Sequence, residues 1–386
     1  MLQERAGRSR ARPRDELMVE ATLDKRQIAG LVEEYGLGKV QGVAPAPTAW
    51  DRSSNHQRNF LVDVGRNKVI FRLDERRGEL DLKREVDLFL YLRKHNFPCP
   101  QPLADRKSRH YRDIGGARIT AYKHIDGRRC DVDELSAAQI ENSGRALGEL
   151  HLIGKGYKKG IENRFSFERV ADLYTEMRPR LPTYFRRITR TLDEEVEYLG
   201  SYLEGKLPKG VIYGDLLNES LLVKGEKLVG IVSFEAACRG KFIFDLATAV
   251  NALCFSQGSY DLKRFECLIA GYESIRTLSL AEWDAFPNEL RFSAFRFTVT
   301  RLRDILRLPG AEAGLAAITE ERLPDPSPDD ERVRAVRGFQ EFFDRLSILR
   351  RERDGGMESM LLAMATGYDY RKYQKVKAVE RKGGKS

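Results

Sequence analysis

The 386-residue chain has few of the features that would place it outside the cell, in a membrane or around a zinc ion. It carries five cysteines, Cys99, Cys130, Cys238, Cys254 and Cys267, an odd number with no C-x-x-C spacing. That favours reduced thiols in a cytoplasmic protein over disulfides or a zinc site. No run of about 18 uncharged apolar residues occurs, so no transmembrane helix is expected. The Arg-rich start lacks a following apolar stretch and does not read as a secretory signal. No internal repeat or low-complexity tract stands out. What is present, 41% hydrophobic and 32% charged residues over this length, suits a globular protein of two lobes, each with its own core.

The formal net charge of +9 suggests nucleic acid until it is located. Residues 1–14 hold five Arg against Glu4, and residues 371–386 hold seven Lys or Arg against Glu380. The ends therefore carry all of the excess, and residues 15–370 are close to neutral. Basic ends of this kind are the pattern of solvated tails, so a nucleic-acid function is not expected. A scaffold that docks these tails on an acidic partner is a separate reading, and oligomeric state is not legible.

The chemistry concentrates in residues 211–255. An apolar run at Val211 and Ile212 leads into a turn bearing Asp215. Strand-like runs at 221–223 and 228–232, joined by a turn at 224–227, end at Ser233. A Gly-bearing loop follows, then a helical pattern from Asp245. This order, with an acid on the first loop, is how kinase-like folds assemble a phosphoryl-transfer site.

On these residues the chain resembles the aminoglycoside phosphotransferase/choline kinase superfamily, and within it the homoserine kinase branch. That family's catalytic loop reads roughly H-G-D-x-x-x-x-N, and its metal loop I-D-F is followed by D-L-A. Here Tyr213-Gly214-Asp215 runs on to Ser220, the metal loop is Val232-Ser233-Phe234, and Asp245-Leu246-Ala247 leads to Asn251 and Phe255. The resemblance implies an α+β, two-lobed protein-kinase-like fold. A small N-lobe at 22–127, an antiparallel sheet plus a helix, would precede a larger, mainly helical C-lobe at 128–350. A basic extension at 1–21 and a basic tail at 351–386 would flank them. It also implies ATP and Mg²⁺ as cofactors, and a small-molecule hydroxyl acceptor of the amino acid or amino alcohol class. Asp215 would align and deprotonate that hydroxyl, and Asp245 would support the catalytic loop.

Three positions depart from the family pattern: Tyr213 replaces His, Ser220 replaces Asn and Ser233 replaces Asp. Mg²⁺ prefers carboxylate and amide oxygen, and a serine hydroxyl is a weaker partner. Glu219 and Glu235 lie one and two residues from the lost ligands and are the candidate replacements. Two readings follow, a working small-molecule kinase with a rebuilt metal site, and a catalytically inactive pseudokinase acting as a binding or regulatory module.

Further matches extend over about 22–350. Arg72, within the strand-like run 69–73, stands where the family holds phosphate, and Glu85 in the helical run 80–94 stands where it pairs that basic residue. The main chain at Tyr122, Lys123 and His124 stands where the family holds an adenine edge. The segment 52–58 contains none of the Gly that the phosphate-covering loop usually carries. His151 closes an L-G-x-x-L-A-x-L-H-like helix and reads as structural. Residues 290–307 form a helical pattern with Arg291, Arg296, Arg301 and Arg303, in which one arginine meets a substrate carboxylate or each pairs with acids on the helix surface.

Overall fold

The computed structural model describes residues 23–46, 57–75, 78–114, 116–203, 206–319 and 331–351. The basic extension, the basic tail, most of the Gly-free segment and the Pro/Asp-rich stretch at 324–330 lie outside these residues.

Helix α1 (Lys25–Glu34) opens with a capping box, in which Asp24 accepts from the Gln27 N–H and Gln27 returns the bond. It lays Ile28, Leu31 and Val32 on the sheet. The sheet comprises β1 (Val40–Pro45), β2 (Gln57–Val64), β3 (Asn67–Asp74), β4 (Gln101–Pro102), β5 (Tyr111–Ile114) and β6 (Ala117–Lys123). Its order is β1-β2-β3-β6-β4, with β5 also on β6, and every pair is antiparallel. Helix α2 (Glu79–Lys94) crosses between β3 and β4, and its Leu88, Phe89 and Leu92 enter the large core that continues into the helical half.

The helical half contains α3 (Ala137–Lys155), α4 (Phe167–Met177) and α5 (Arg186–Tyr202). Next come β7 (Lys209–Ile212), the hairpin β8 (Leu221–Lys224) and β9 (Lys227–Ile231), and β10 (Cys238–Lys241), which pairs with β7. Then follow α6 (Phe242–Leu253), the short β11 (Phe255–Ser256) and β12 (Ser259–Tyr260), and α7 (Leu262–Glu273). The chain of helices closes with α8 (Leu280–Arg307), α9 (Ala311–Thr319) and α10 (Glu331–Arg351). A small antiparallel sheet with a helix, joined to a larger helical region, is the α+β, protein-kinase-like fold.

Two features lock the helical half. A Cβ at Gly144 would lie 2.1 Å from the Leu268 carbonyl oxygen and one at Gly271 2.0 Å from that of Glu141, so α3 and α7 touch backbone to backbone. Arg291 is buried and salt-bridged to the fully buried Glu195, which also takes Arg350 of α10 at 2.8 Å. Its guanidinium lies 3.8 Å from the Tyr198 ring centroid. Arg291 is thus a core pin between α5, α8 and α10, and the helix-surface role expected of it does not apply.

Helix α6 begins at Phe242, three residues before the start that the pattern at Asp245 suggests. Helix α8 begins at Leu280 on a Ser279–Glu282 capping box and carries Pro287 within it, ten residues earlier than the apolar pattern at 290–307.

Candidate active site

Asp215 sits on the loop between β7 and β8, and the residues before it are held from below. Asp245, fully buried in the first turn of α6, accepts from the Tyr213 N–H at 2.6 Å and the Gly214 N–H at 2.7 Å. Gly214 has φ +79°, and a Cβ there would lie 2.8 Å from the Ala236 carbonyl oxygen, so only glycine fits the turn that presents Asp215. His151 completes the support, with Nε2 3.1 Å from Asp245 and Nδ1 2.7 Å from the Tyr272 hydroxyl. The ring is stacked on Phe242. Burial pushes the His151 imidazole below its ordinary range, against the pull of Asp245. His151 is structural here, a rivet between α3, α6 and α7.

The second loop is bound to the first through the residue that departs from the family's His. The Tyr213 hydroxyl lies within hydrogen-bond distance of the Val232 and Ser233 carbonyl oxygens, 2.6 Å from the latter. Its ring meets Phe234 edge-on at 4.8 Å, and Phe234 meets Phe89 of α2 at 5.2 Å. Tyr213 therefore supplies a donor to the metal-loop backbone and a ring to the aromatic contact with α2. Ser233 adopts φ +67°, the left-handed region, where Asp and Asn are the better tolerated non-glycine residues.

Arg72 of β3 and Glu85 of α2 form a buried, two-point ion pair. Arg72 also donates to the Tyr122 hydroxyl at 2.9 Å and to Glu235 Oε1 at 3.2 Å. Burial opposes the Arg72 charge, but Glu85, Tyr122 and Glu235 more than offset it, and the guanidinium holds its proton more firmly than a free one. The Glu235 contact was not expected. The carboxylate two residues beyond Ser233 reaches across to Arg72, and the Glu235 backbone carbonyl accepts from Arg164. Glu85, Arg72 and Glu235 thus tie α2, β3 and the metal loop in one chain of charge.

The other predicted positions are less convergent. The His124 N–H donates to the Lys68 carbonyl at 3.1 Å, and Tyr122 and Lys123 are flanked by β3 on one side and β4 on the other. Much of the main-chain capacity of this segment is thus used inside the sheet. Glu219 is exposed on the short 3₁₀ turn Asn218–Ser220. Among the described residues no group of three or more His, Cys, Asp or Glu side chains could hold a metal. The buried Ser220 Oγ lacks a hydrogen-bond partner, however, and is an oxygen donor of the kind a hard cation accepts.

Sequence reasoning placed Arg296 on α8 without locating it. Its Nη1 donates to Asp215 Oδ1 at 2.9 Å, while the side chain is only 3% exposed and that of Asp215 20%. The Phe165 and Phe297 rings lie 3.9 and 4.0 Å from its guanidinium. Phe165 and Arg164, on the loop after α3, were missed altogether. A Gly/Lys-rich loop gives no periodicity from which their direction could be read.

Residues 51–278 match the sequence profile of the phosphotransferase enzyme family. The chain belongs to that family. A homoserine kinase of Azorhizobium caulinodans is 32% identical over 253 residues, 65% of this phosphotransferase and 78% of the relative. A homoserine kinase of Agrobacterium fabrum is 29% identical over 80% of this chain and 93% of its own length. Among solved structures, the spectinomycin phosphotransferase APH(9)-Ia, in complex with ADP and spectinomycin, superposes with a TM-score of 0.60 at 13% identity, over 86% of this chain and 98% of that one. The amicoumacin kinase hAmiN, in complex with AMP-PNP, Ca²⁺ and Ami, gives 0.59 at 14% identity over 78% and 93%. The fold and the homoserine kinase-like branch are thereby shown for this phosphotransferase. Among its described residues no helix is long and apolar enough to cross a membrane.

Proposed function

We propose that this chain transfers the γ-phosphoryl group of ATP to the hydroxyl of a small molecule of the amino acid class, with homoserine the acceptor to test first. The observation that carries the reading is the placement of Asp215. It stands on a loop pinned by Asp245 and tied through the Tyr213 hydroxyl to the Ser233 backbone, two residues before the Glu235 that reaches the Arg72–Glu85 pair. Asp215 aligns the acceptor hydroxyl and takes its proton as the oxygen–phosphorus bond forms and ADP departs with the old one. Arg72, fixed by Glu85, holds phosphate oxygens through its planar fork. The two lobes would be 22–127 and 128–350, with the nucleotide between them and the main chain at Tyr122–His124 near the base.

The oxygens present fit a Mg²⁺ carried chiefly by the nucleotide, with the Ser220 hydroxyl and the Glu235 carboxylate as the chain's contribution. When bound, the ion neutralises phosphate charge. Glu219, exposed on its turn, has less to support it. Ser233→Asp restores a carboxylate in a backbone conformation that Asp tolerates. It is expected to tighten Mg²⁺ in the ATP complex roughly tenfold, read by metal titration of nucleotide binding. An unchanged affinity would mean that Glu235 already does this work.

An inactive pseudokinase was the alternative, and it drew on Tyr213, Ser220 and Ser233. Tyr213 supplies a tie between the two loops, and the two similar bacterial proteins are homoserine kinases by name, which favours the enzyme. The deciding assay is ADP release from ATP with Mg²⁺ or Mn²⁺ and a panel of hydroxy amino acids and amino alcohols. Acceptor-dependent release is expected. Release equal to that of an Asp215→Asn control across the panel would overturn the proposal.

A further inference from the structure

We propose that Arg296 is the receptor for a carboxylate on the acceptor, and that its ion pair with Asp215 is the empty-site arrangement which such an acceptor replaces. The inference rests on the phosphotransferase reading above and adds to it the feature by which an acceptor is chosen.

Three observations converge. First, Arg296 is a charge removed from water, and its carboxylate partner among the described residues is Asp215. Its Nε is buried without a hydrogen-bond partner. A guanidinium offers five N–H groups in a planar fork that matches a carboxylate at two points. The single bond to Asp215 leaves part of that fork unused. Second, the Phe165 and Phe297 rings fix the guanidinium and keep water from it, which makes it a rigid receptor. Third, the neighbouring charge is of one sign in excess. Arg301 and Arg303 both act unfavourably on Arg296, while Asp304 is already engaged with both of them, at 3.8 and 2.6 Å. An incoming anion relieves that repulsion.

The exchange has a consequence for chemistry. The bond from Arg296 takes up one acceptor site of Asp215 and holds that oxygen toward the guanidinium rather than toward a hydroxyl. A carboxylate on the acceptor that takes over Arg296 frees it at the moment the hydroxyl arrives. An amino alcohol without the carboxylate leaves the Arg296–Asp215 pair standing and meets a base that is still engaged. Arg296 therefore acts both as a binding group and as the gate on Asp215.

The test uses the full chain with ADP present. L-Homoserine and its decarboxylated analogue 3-aminopropan-1-ol are titrated calorimetrically into wild type, Arg296→Lys and Arg296→Met, and the ratio of kcat/KM for the two acceptors is measured for each. Homoserine affinity is expected to fall about 100-fold in Arg296→Met, with Arg296→Lys intermediate and aminopropanol affinity moved less than about threefold. The kcat/KM ratio should fall in parallel. Equal homoserine affinity in wild type and Arg296→Met, or equal weakening of both acceptors, overturns the inference. If the Met variant does not fold, the Lys variant and the wild-type comparison still decide it, because a wild type that binds aminopropanol as tightly as homoserine has no carboxylate receptor. A wild type that binds and phosphorylates aminopropanol but no hydroxy amino acid overturns this inference and leaves the kinase reading intact. Arg296-dependent homoserine binding without turnover does the reverse.

Discussion

Asp215→Asn is expected to lower kcat by about 10³-fold while leaving ATP affinity within about threefold, because a positioned general base contributes about 10² to 10⁴. The amide keeps the shape of the carboxylate and one acceptor oxygen for Arg296, so the loop geometry survives. It cannot take the hydroxyl proton. The loose transition state of phosphoryl transfer draws mainly on positioning and electrostatics, which is why the expected loss is not larger. A second signature separates this variant from a purely catalytic lesion. Arg296, 3% exposed, loses its carboxylate partner. Breaking a buried pair costs about 3–5 kcal/mol, but the 20% exposed Asp215 side chain screens part of that. A loss of roughly 1–2 kcal/mol is therefore expected in urea unfolding. Single-turnover ADP release measures the first effect. A fall of less than about tenfold would place the base elsewhere.

The residues that betray their position in the sequence are those whose pattern repeats along an element. The strand-like run at 69–73, the helix at 80–94 and the hairpin at 221–232 are found close to where their apolar spacing puts them. Strand β1 escaped because its residues are mostly exposed at the sheet edge and show no apolar alternation. The start of α8 escaped because Pro287 reads as a break, although the Ser279 capping box begins the helix two turns earlier. Within the site, the Arg72–Glu85 pair was legible because the strand–helix order matches that of the family, which pairs a basic residue and an acid at these positions. The Glu235–Arg72 and Arg296–Asp215 contacts join positions 163 and 81 residues apart. No local periodicity encodes such a contact. It depends on where two loops and the middle of a 28-residue helix meet. Glu235 illustrates the limit: its place two residues beyond Ser233 suggests a metal ligand, and nothing local shows that the same carboxylate also meets Arg72.

Asp245→Ala is expected to be the most damaging single change to stability, at about 3–5 kcal/mol. The carboxylate is fully buried and satisfies the N–H groups of Tyr213 and Gly214 as well as the His151 ring. Alanine leaves all three donors in a site that excludes water, and each unsatisfied donor costs about 1–3 kcal/mol. Asp245→Asn keeps one acceptor oxygen but turns an NH₂ toward a donor, and it should lose roughly half as much. Urea unfolding of the three proteins measures the series, and an Ala variant within about 1 kcal/mol of wild type would show that the loop is held by other contacts. Turnover should vanish in the Ala variant even where it remains folded, because Gly214 no longer fixes the direction of Asp215. The pH dependence gives an independent check. His151 has a lowered proton affinity in the folded protein, so the unfolded chain binds the proton more readily. Stability from this group is therefore present above the unfolded value of about 6.5 and is lost as the pH falls below it. Asp245 partly counters that loss by favouring the protonated ring. Without it the folded protein resists protonation further, and the Ala variant should destabilise more steeply than wild type on acidification below about pH 6.5.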